Sequence, residues 1–132
     1  MAEDPHVQAG DLVPEVKPWM GPKGWFYPPA SPQVREELVF GFLMRGSNTS
    51  QSSEEAVEIQ KGHLAYMEGL HKDGKLIMAG PFLDKSDWRG VVVYRVGSIE
   101  EGRELAAGDP AVKAGRLVID ARRWATWKGI LR

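Results

Sequence analysis

Cysteine is absent from the 132 residues. That absence removes disulfide frameworks, zinc–thiolate clusters and thiol nucleophiles from consideration. An excess of charge is also missing, with 17 Lys+Arg against 18 Asp+Glu. Wholesale electrostatic attraction to nucleic acid or to a membrane surface therefore has no compositional basis. No apolar run approaches the roughly 18 residues that a membrane-spanning helix requires. The opening Met1-Ala2-Glu3-Asp4-Pro5 is acidic and turn-like, lacking the basic-then-apolar plan of a secretory leader. A cytoplasmic location is expected, unless a leader was removed ahead of Met1. Neither GxGxxG nor GxxxxGK[ST] occurs, so there is no phosphate cradle for a nucleotide. His63 and His71 stand eight residues apart with no third ligand spaced to complete a clamp, and His6 is remote from both. Neither a metal nor an organic cofactor is expected.

What is present divides the chain by composition. Residues 1–36 hold seven of the nine prolines together with Trp19, Trp25, Phe26 and Tyr27. Proline at that density excludes a long helix or a central strand. Clustered aromatics are equally foreign to a solvated linker. The expectation is an extended arm whose aromatic knot, Trp19 to Tyr27, lies on the globular body or on a partner subunit.

Beyond the arm the hydrophobic rhythm is regular. Glu37 to Met44 has the length and apolar content of a strand. Ser53, Glu54 and Glu55 predict a helix start, with acids where the dipole favours them. Ile59, His63, Tyr66 and Leu70 then recur at helical spacing until Asp73-Gly74. Lys75 to Phe82 predicts a second strand ending at Gly80-Pro81, and Arg89 to Val96 a third, rich in β-branched residues. Ser98 with Glu101 predicts a capping box opening a helix to Gly108. Asp109-Pro110 restarts a short helical turn, and Arg116 to Arg122 forms a fourth strand. Residues 123–132 make a basic tail with Trp124 and Trp127.

The order β-α-β-β-α-β predicts an α+β, ferredoxin-like fold: a four-stranded antiparallel sheet with both helices on one face. The strands carry consecutive apolar residues, Val91-Val92-Val93 and Leu76-Ile77-Met78, where a water-facing sheet would alternate. Both faces are therefore expected to be covered, the second by another copy of the chain. Homodimerisation through the sheet is the expectation.

His63-Leu64-Ala65-Tyr66, the run Gly74 to Phe82, and Asp109-Pro110-Ala111-Val112-Lys113-Ala114-Gly115-Arg116-Leu117 together resemble the YCII-related (YciI-like) family. That family lies in the dimeric α/β-barrel group of ferredoxin-like proteins. The resemblance spans residues 37–122, leaving the 1–36 arm and the 123–132 tail as departures. It implies a histidine–aspartate acid/base pair in a pocket at the sheet edge, carried here by His63 and Asp109. The wider group includes an isomerase and a dehydrochlorinase of aromatic-degradation pathways. The implied activity is a small isomerase or lyase acting on a cyclic or aromatic-derived organic molecule, with no nucleic acid or membrane partner. Two other readings stay open: a non-catalytic ligand-binding protein with the same pocket, and haem ligation by His63.

Each site residue also has a plainer reading. A histidine in an apolar helix register is commonly a hydrogen-bonded core residue. Asp109 before Pro110 is what helix capping alone would select, although a carboxylate has lone pairs enough for both tasks. Arg45 either meets a substrate anion or is a solvated strand-end charge. Gly80 and Pro81 end a strand or shape a pocket rim. Tyr66 and Phe82 are candidate substrate walls or ordinary core.

Overall fold

The computed structural model describes residues 3–21 and 34–131. Eight elements follow one another: α1 (Pro5–Gln8), β1 (Arg35–Arg45), α2 (Ser53–Lys72), β2 (Leu76–Pro81), β3 (Trp88–Tyr94), α3 (Ile99–Gly108), α4 (Pro110–Lys113) and β4 (Leu117–Trp127). The strands form one antiparallel sheet in the order β2-β3-β1-β4. This is the α+β, ferredoxin-like arrangement expected from the hydrophobic pattern. Trp25, Phe26 and Tyr27 of the expected aromatic knot lie outside the described residues.

Alternation along the strands sorts the core into two layers. Val39 and Leu43 of β1, Val92 and Tyr94 of β3 and Ala121 of β4 pack with Met67 and Leu70 of α2. Leu38, Ile77, Met78 and Val93 form a second cluster on the helix-free face. Full burial of such side chains contributes roughly 1.5–3 kcal/mol apiece before chain entropy is set against it.

Part of the cover for the second face comes from the chain itself. Trp19, Ile130 and the buried Leu131 pack onto this cluster beside Phe40 and Trp124. The arm is held by Met20 N–H donating to the Pro81 carbonyl, Leu83 N–H to Pro18 and the Trp19 indole N–H to Gly80. Gly80 must be glycine for this seat, because a methyl there would meet the Met20 carbonyl oxygen and lie 2.8 Å from the Trp19 ring. Between these segments Phe40, Phe42 and Trp88 stay half-buried, joined edge to face at 4.9 Å and 4.7 Å between centroids.

Three local details depart from the sequence expectations. The cap of α2 is Ser52, whose hydroxyl accepts from Glu55 N–H while the Glu55 carboxylate accepts from Ser52 N–H. This sets the cap one residue ahead of the expected start at Ser53 and adds a capping box there. At α3, Ser98 accepts from Glu101 N–H as expected, but the Glu101 carboxylate takes Gly97 N–H instead of closing the box. Finally, β4 runs on to Trp127 because β1 starts at Arg35 and pairs with it over its full length, Arg35 opposite Trp127. Five residues of the expected tail, Arg123 to Trp127, are strand.

Candidate active site

Helix α2 presents His63 in register with Ile59, Tyr66, Met67 and Leu70, the face turned toward the sheet. Asp109 sits where α3 gives way to α4. The proline that follows disfavours helical geometry at residue 109, and its backbone is accordingly extended (φ −66°, ψ 128°). That break turns the carboxylate inward. One oxygen accepts from Ala111 N–H at 2.8 Å, capping α4. The other accepts from His63 Nδ1 at 2.7 Å.

Close helix packing makes the second bond possible. The residue before His63 is Gly62, and a methyl there would come within 3.2 Å of the Pro110 ring. Both capping and histidine orientation are thus served by one carboxylate. The Asp109 side chain is 1% exposed and that of His63 15%. An ionised carboxylate only accepts, so the proton shared with it belongs to Nδ1. In the neutral imidazole this leaves the Nε2 lone pair available for proton transfer.

Two phenols lie near this carboxylate. Tyr66 donates to the Leu105 carbonyl at 2.8 Å. Burial first, and then the charge of Asp109, push its pKa up. Tyr94 is fully buried, and its hydroxyl has no hydrogen-bond partner among the described residues. Burial drives its pKa far above the ordinary phenol value, with Asp109 and Tyr66 adding to the effect.

His63 lines a cavity of about 670 Å³ between α2 and one end of the sheet. Arg45, Gly80 and Pro81 line the same cavity. Tyr66 and Phe82 do not belong to its lining: Tyr66 is directed under α3, and Phe82 packs edge-on to Trp88 at 6.1 Å. Thr49, from the polar loop after β1, and Met67 are also on the wall.

Among the polar lining residues, Arg89, Arg116 and Gln60 are not singled out as site residues by sequence reasoning. The signal for the arginines lies in topology. Arg45 ends β1, Arg116 precedes β4 and Arg89 is near the start of β3. Pairing of Arg45 with Leu117 and of Met44 with Trp88 brings these three positions to one end of the sheet. Arg45 Nε holds Asp87 at 3.1 Å, and Arg116 Nη1 donates to the Gln51 side-chain oxygen at 2.9 Å. The side chain of Arg89 has neither hydrogen bond nor ion pair among the described residues. Away from the cavity, His71 Nδ1 lies 2.9 Å from the Leu76 carbonyl, at the turn between α2 and β2.

Comparison with known proteins agrees with this architecture. The uncharacterized protein YjpA of Bacillus subtilis (strain 168) is 29% identical over 86 residues, which cover 65% of this chain and 95% of the relative. Among solved structures, the chain is similar to 5-chloro-2-hydroxyhydroquinone dehydrochlorinase (TftG) from Burkholderia phenoliruptrix AC1100, in complex with 2,5-dihydroxybenzoquinone. The TM-score is 0.50 at 24% identity, over 66% of this chain and 92% of that one. This likeness shows the fold. The YCII-related domain matches residues 40–125, from the middle of β1 almost to the end of β4. The chain belongs to the YCII-related domain family.

Proposed function

We propose that the protein is a small enzyme, of isomerase or lyase type, in which His63 and Asp109 move a proton on a small cyclic or aromatic-derived organic molecule. The observation that carries this reading is the 2.7 Å bond from His63 Nδ1 to a buried carboxylate, with the ring on a cavity wall. Neutral Nε2 takes a proton from a C–H or O–H of the substrate, and the resulting imidazolium is stabilised by Asp109. The electron pair left behind then either picks up the proton at another atom, an isomerisation, or expels a leaving group, an elimination. Neither course needs a cofactor. Proton transfer by a positioned side chain contributes about 10²–10⁴-fold.

The functional unit of this proposal is a homodimer closed through the helix-free sheet face, where Phe40, Phe42 and Trp88 form a half-buried aromatic row. The catalytic domain of this proposal spans residues 37–122, with the 1–36 arm as an added segment whose residues 18–20 lie against the end of β2.

The test is a screen of hydroxylated and halogenated phenols, hydroxyquinones and lactones for isomerisation or halide release. That range is chosen because the structural neighbour is named a dehydrochlorinase and holds 2,5-dihydroxybenzoquinone. Turnover by the wild type that drops at least 10²-fold in His63→Ala, with unchanged circular dichroism, is the expected result. Ligand-induced thermal stabilisation without turnover would favour a binding protein instead.

A further inference from the structure

The geometry points to a substrate that carries an oxyanion, held by Arg45, Arg89 and Arg116 while its reacting bond faces His63. This rests on the cavity being the substrate site, as proposed above. Three guanidinium groups and one imidazole line that cavity, and among the described residues its lining includes no Asp or Glu. Asp109 is sealed behind His63, and Asp87 is taken up by Arg45. The walls are otherwise largely aliphatic, among them Leu43, Ile59, Val92 and Leu117. Positive charge facing a mostly apolar enclosure attracts an anion more strongly than the same charges would in open water.

Arg45 is paired with Asp87, but the other two cations, Arg89 and Arg116, have no carboxylate partner among the described residues. A guanidinium has five N–H donors. The Arg116 guanidinium is steadied by the neutral Gln51 side chain, which leaves its charge uncompensated there. Arg89 has no side-chain partner among the described residues. The planar fork of arginine matches the two oxygens of a carboxylate, or vicinal oxygens on a ring, in a bidentate manner. The two halves of the site are also spatially ordered, with cations on strand ends and the imidazole on α2. A bound molecule is therefore oriented with its anionic end toward the sheet and its acidic bond toward Nε2. Withdrawal of the proton creates further negative charge, which the same guanidinium groups stabilise.

Binding of three probes to the full chain, followed by calorimetry at low salt, tests this. Benzoate offers a carboxylate, 2,5-dihydroxybenzoquinone offers ionised ring oxygens, and benzamide is the neutral match to benzoate. At least one anion is expected to bind at least tenfold more tightly than benzamide, and the better anion identifies the source of the oxyanion. Arg89→Gln is expected to weaken that anion about 10–100-fold, and Arg89→Lys to restore part of the loss. Arg116→Gln provides a second variant should Arg89→Gln fail to fold. Equal affinity for charged and neutral probes overturns the inference. So does unchanged anion affinity in both glutamine variants, or failure of both anions to bind the wild type. The His63→Ala chain separates this inference from the reaction: anion preference retained while turnover is also retained would sink the proton-transfer reading and leave the oxyanion site standing.

Discussion

Gly62 lies tightly against Pro110, the Pro110 ring carbon being 3.2 Å from where a Cβ would stand, so that a methyl would require the ring to yield by a few tenths of an ångström. This contact sets the separation of α2 from α4, and thereby brings His63 to Asp109. Gly62→Ala should gain about 1 kcal/mol of helix propensity while forcing the proline to yield. The expected outcome is a melting temperature close to that of the wild type with a turnover lowered several-fold. Proton NMR of the His63 ring, in which the Nδ1–H signal shifts upfield as the bond lengthens, checks the cause.

Asp109 serves two masters, and substitutions separate them. Asparagine keeps an oxygen to cap Ala111, but its amide donates where the carboxylate accepted. The donor forces the His63 proton onto Nε2 and removes the basic lone pair from the cavity. Asp109→Asn should therefore cost about 10²–10⁴-fold in turnover with little change in melting. Alanine loses the cap as well, at about 1 kcal/mol, and leaves the buried His63 donor unpaired at about 1–3 kcal/mol more. Thermal unfolding of the two variants side by side checks the distinction.

Tyr94 makes the fold sensitive to alkali. Its phenol is held neutral by burial, so its pKa in the folded chain lies above the ordinary value of 10.0. Above pH 10.0 the unfolded chain gives up this proton while the folded chain keeps it. Stability is therefore whole below that pH and falls as pH rises above it. Tyr94→Phe should flatten that part of the stability–pH curve. At neutral pH it should leave stability equal or slightly higher, since it removes a hydroxyl without a partner among the described residues. Urea unfolding between pH 7 and 11 checks both statements.

The arm is fastened by charge as well as by Trp19. Lys17 Nζ lies 2.9 Å from Asp84 and over the Trp88 ring at 5.9 Å. Its hydrogen bond holds the Asp84 carboxyl below the usual carboxylate range, with Ser86 adding to the effect. The attachment contributed by this pair is present above the ordinary carboxylate pKa and is lost as pH falls through the lowered one. Limited digestion with an acid-active protease should accordingly cut the arm faster below pH 3.8 than above it. Asp84→Asn should be cut faster at neutral pH also, and Gly80→Ala faster at every pH because it unseats Trp19.

The proposed dimer has a direct readout in light scattering. Phe42 packs edge-on to both Phe40 and Trp88 on the helix-free face. The wild type should have the mass of two chains, and Phe42→Glu, which buries a charge in that row, should shift it to one. A monomeric wild type at micromolar concentration would remove the dimer from the functional proposal.

Local rules were enough for much of this molecule. Consecutive β-branched residues marked β3, acids followed by an apolar 3–4 repeat marked α2, and Asp before Pro marked the break at residue 109. The contact between His63 and Asp109 followed from resemblance, since 46 residues separate them in sequence. What local patterns could not supply was partnership across the sheet. Arg123 to Trp127 reads as the start of a basic tail, yet pairing with the first residues of β1 makes it strand. Arg89 and Arg116 are ordinary strand-end charges until the order β2-β3-β1-β4 sets them beside Arg45. Likewise, nothing near Trp19 in the sequence announces that Gly80, 61 residues away, is its seat.

The division of labour between layers has an evolutionary consequence. His63 and Asp109 are anchored by helix caps and helix packing, whereas the arginines stand at the margins of strands whose interiors do the folding. Exchanging a marginal arginine for a neutral or acidic residue is expected to leave the proposed proton-handling pair and both hydrophobic layers in place. The scaffold thus permits the choice of ligand to change without disturbing the pair proposed to act on it.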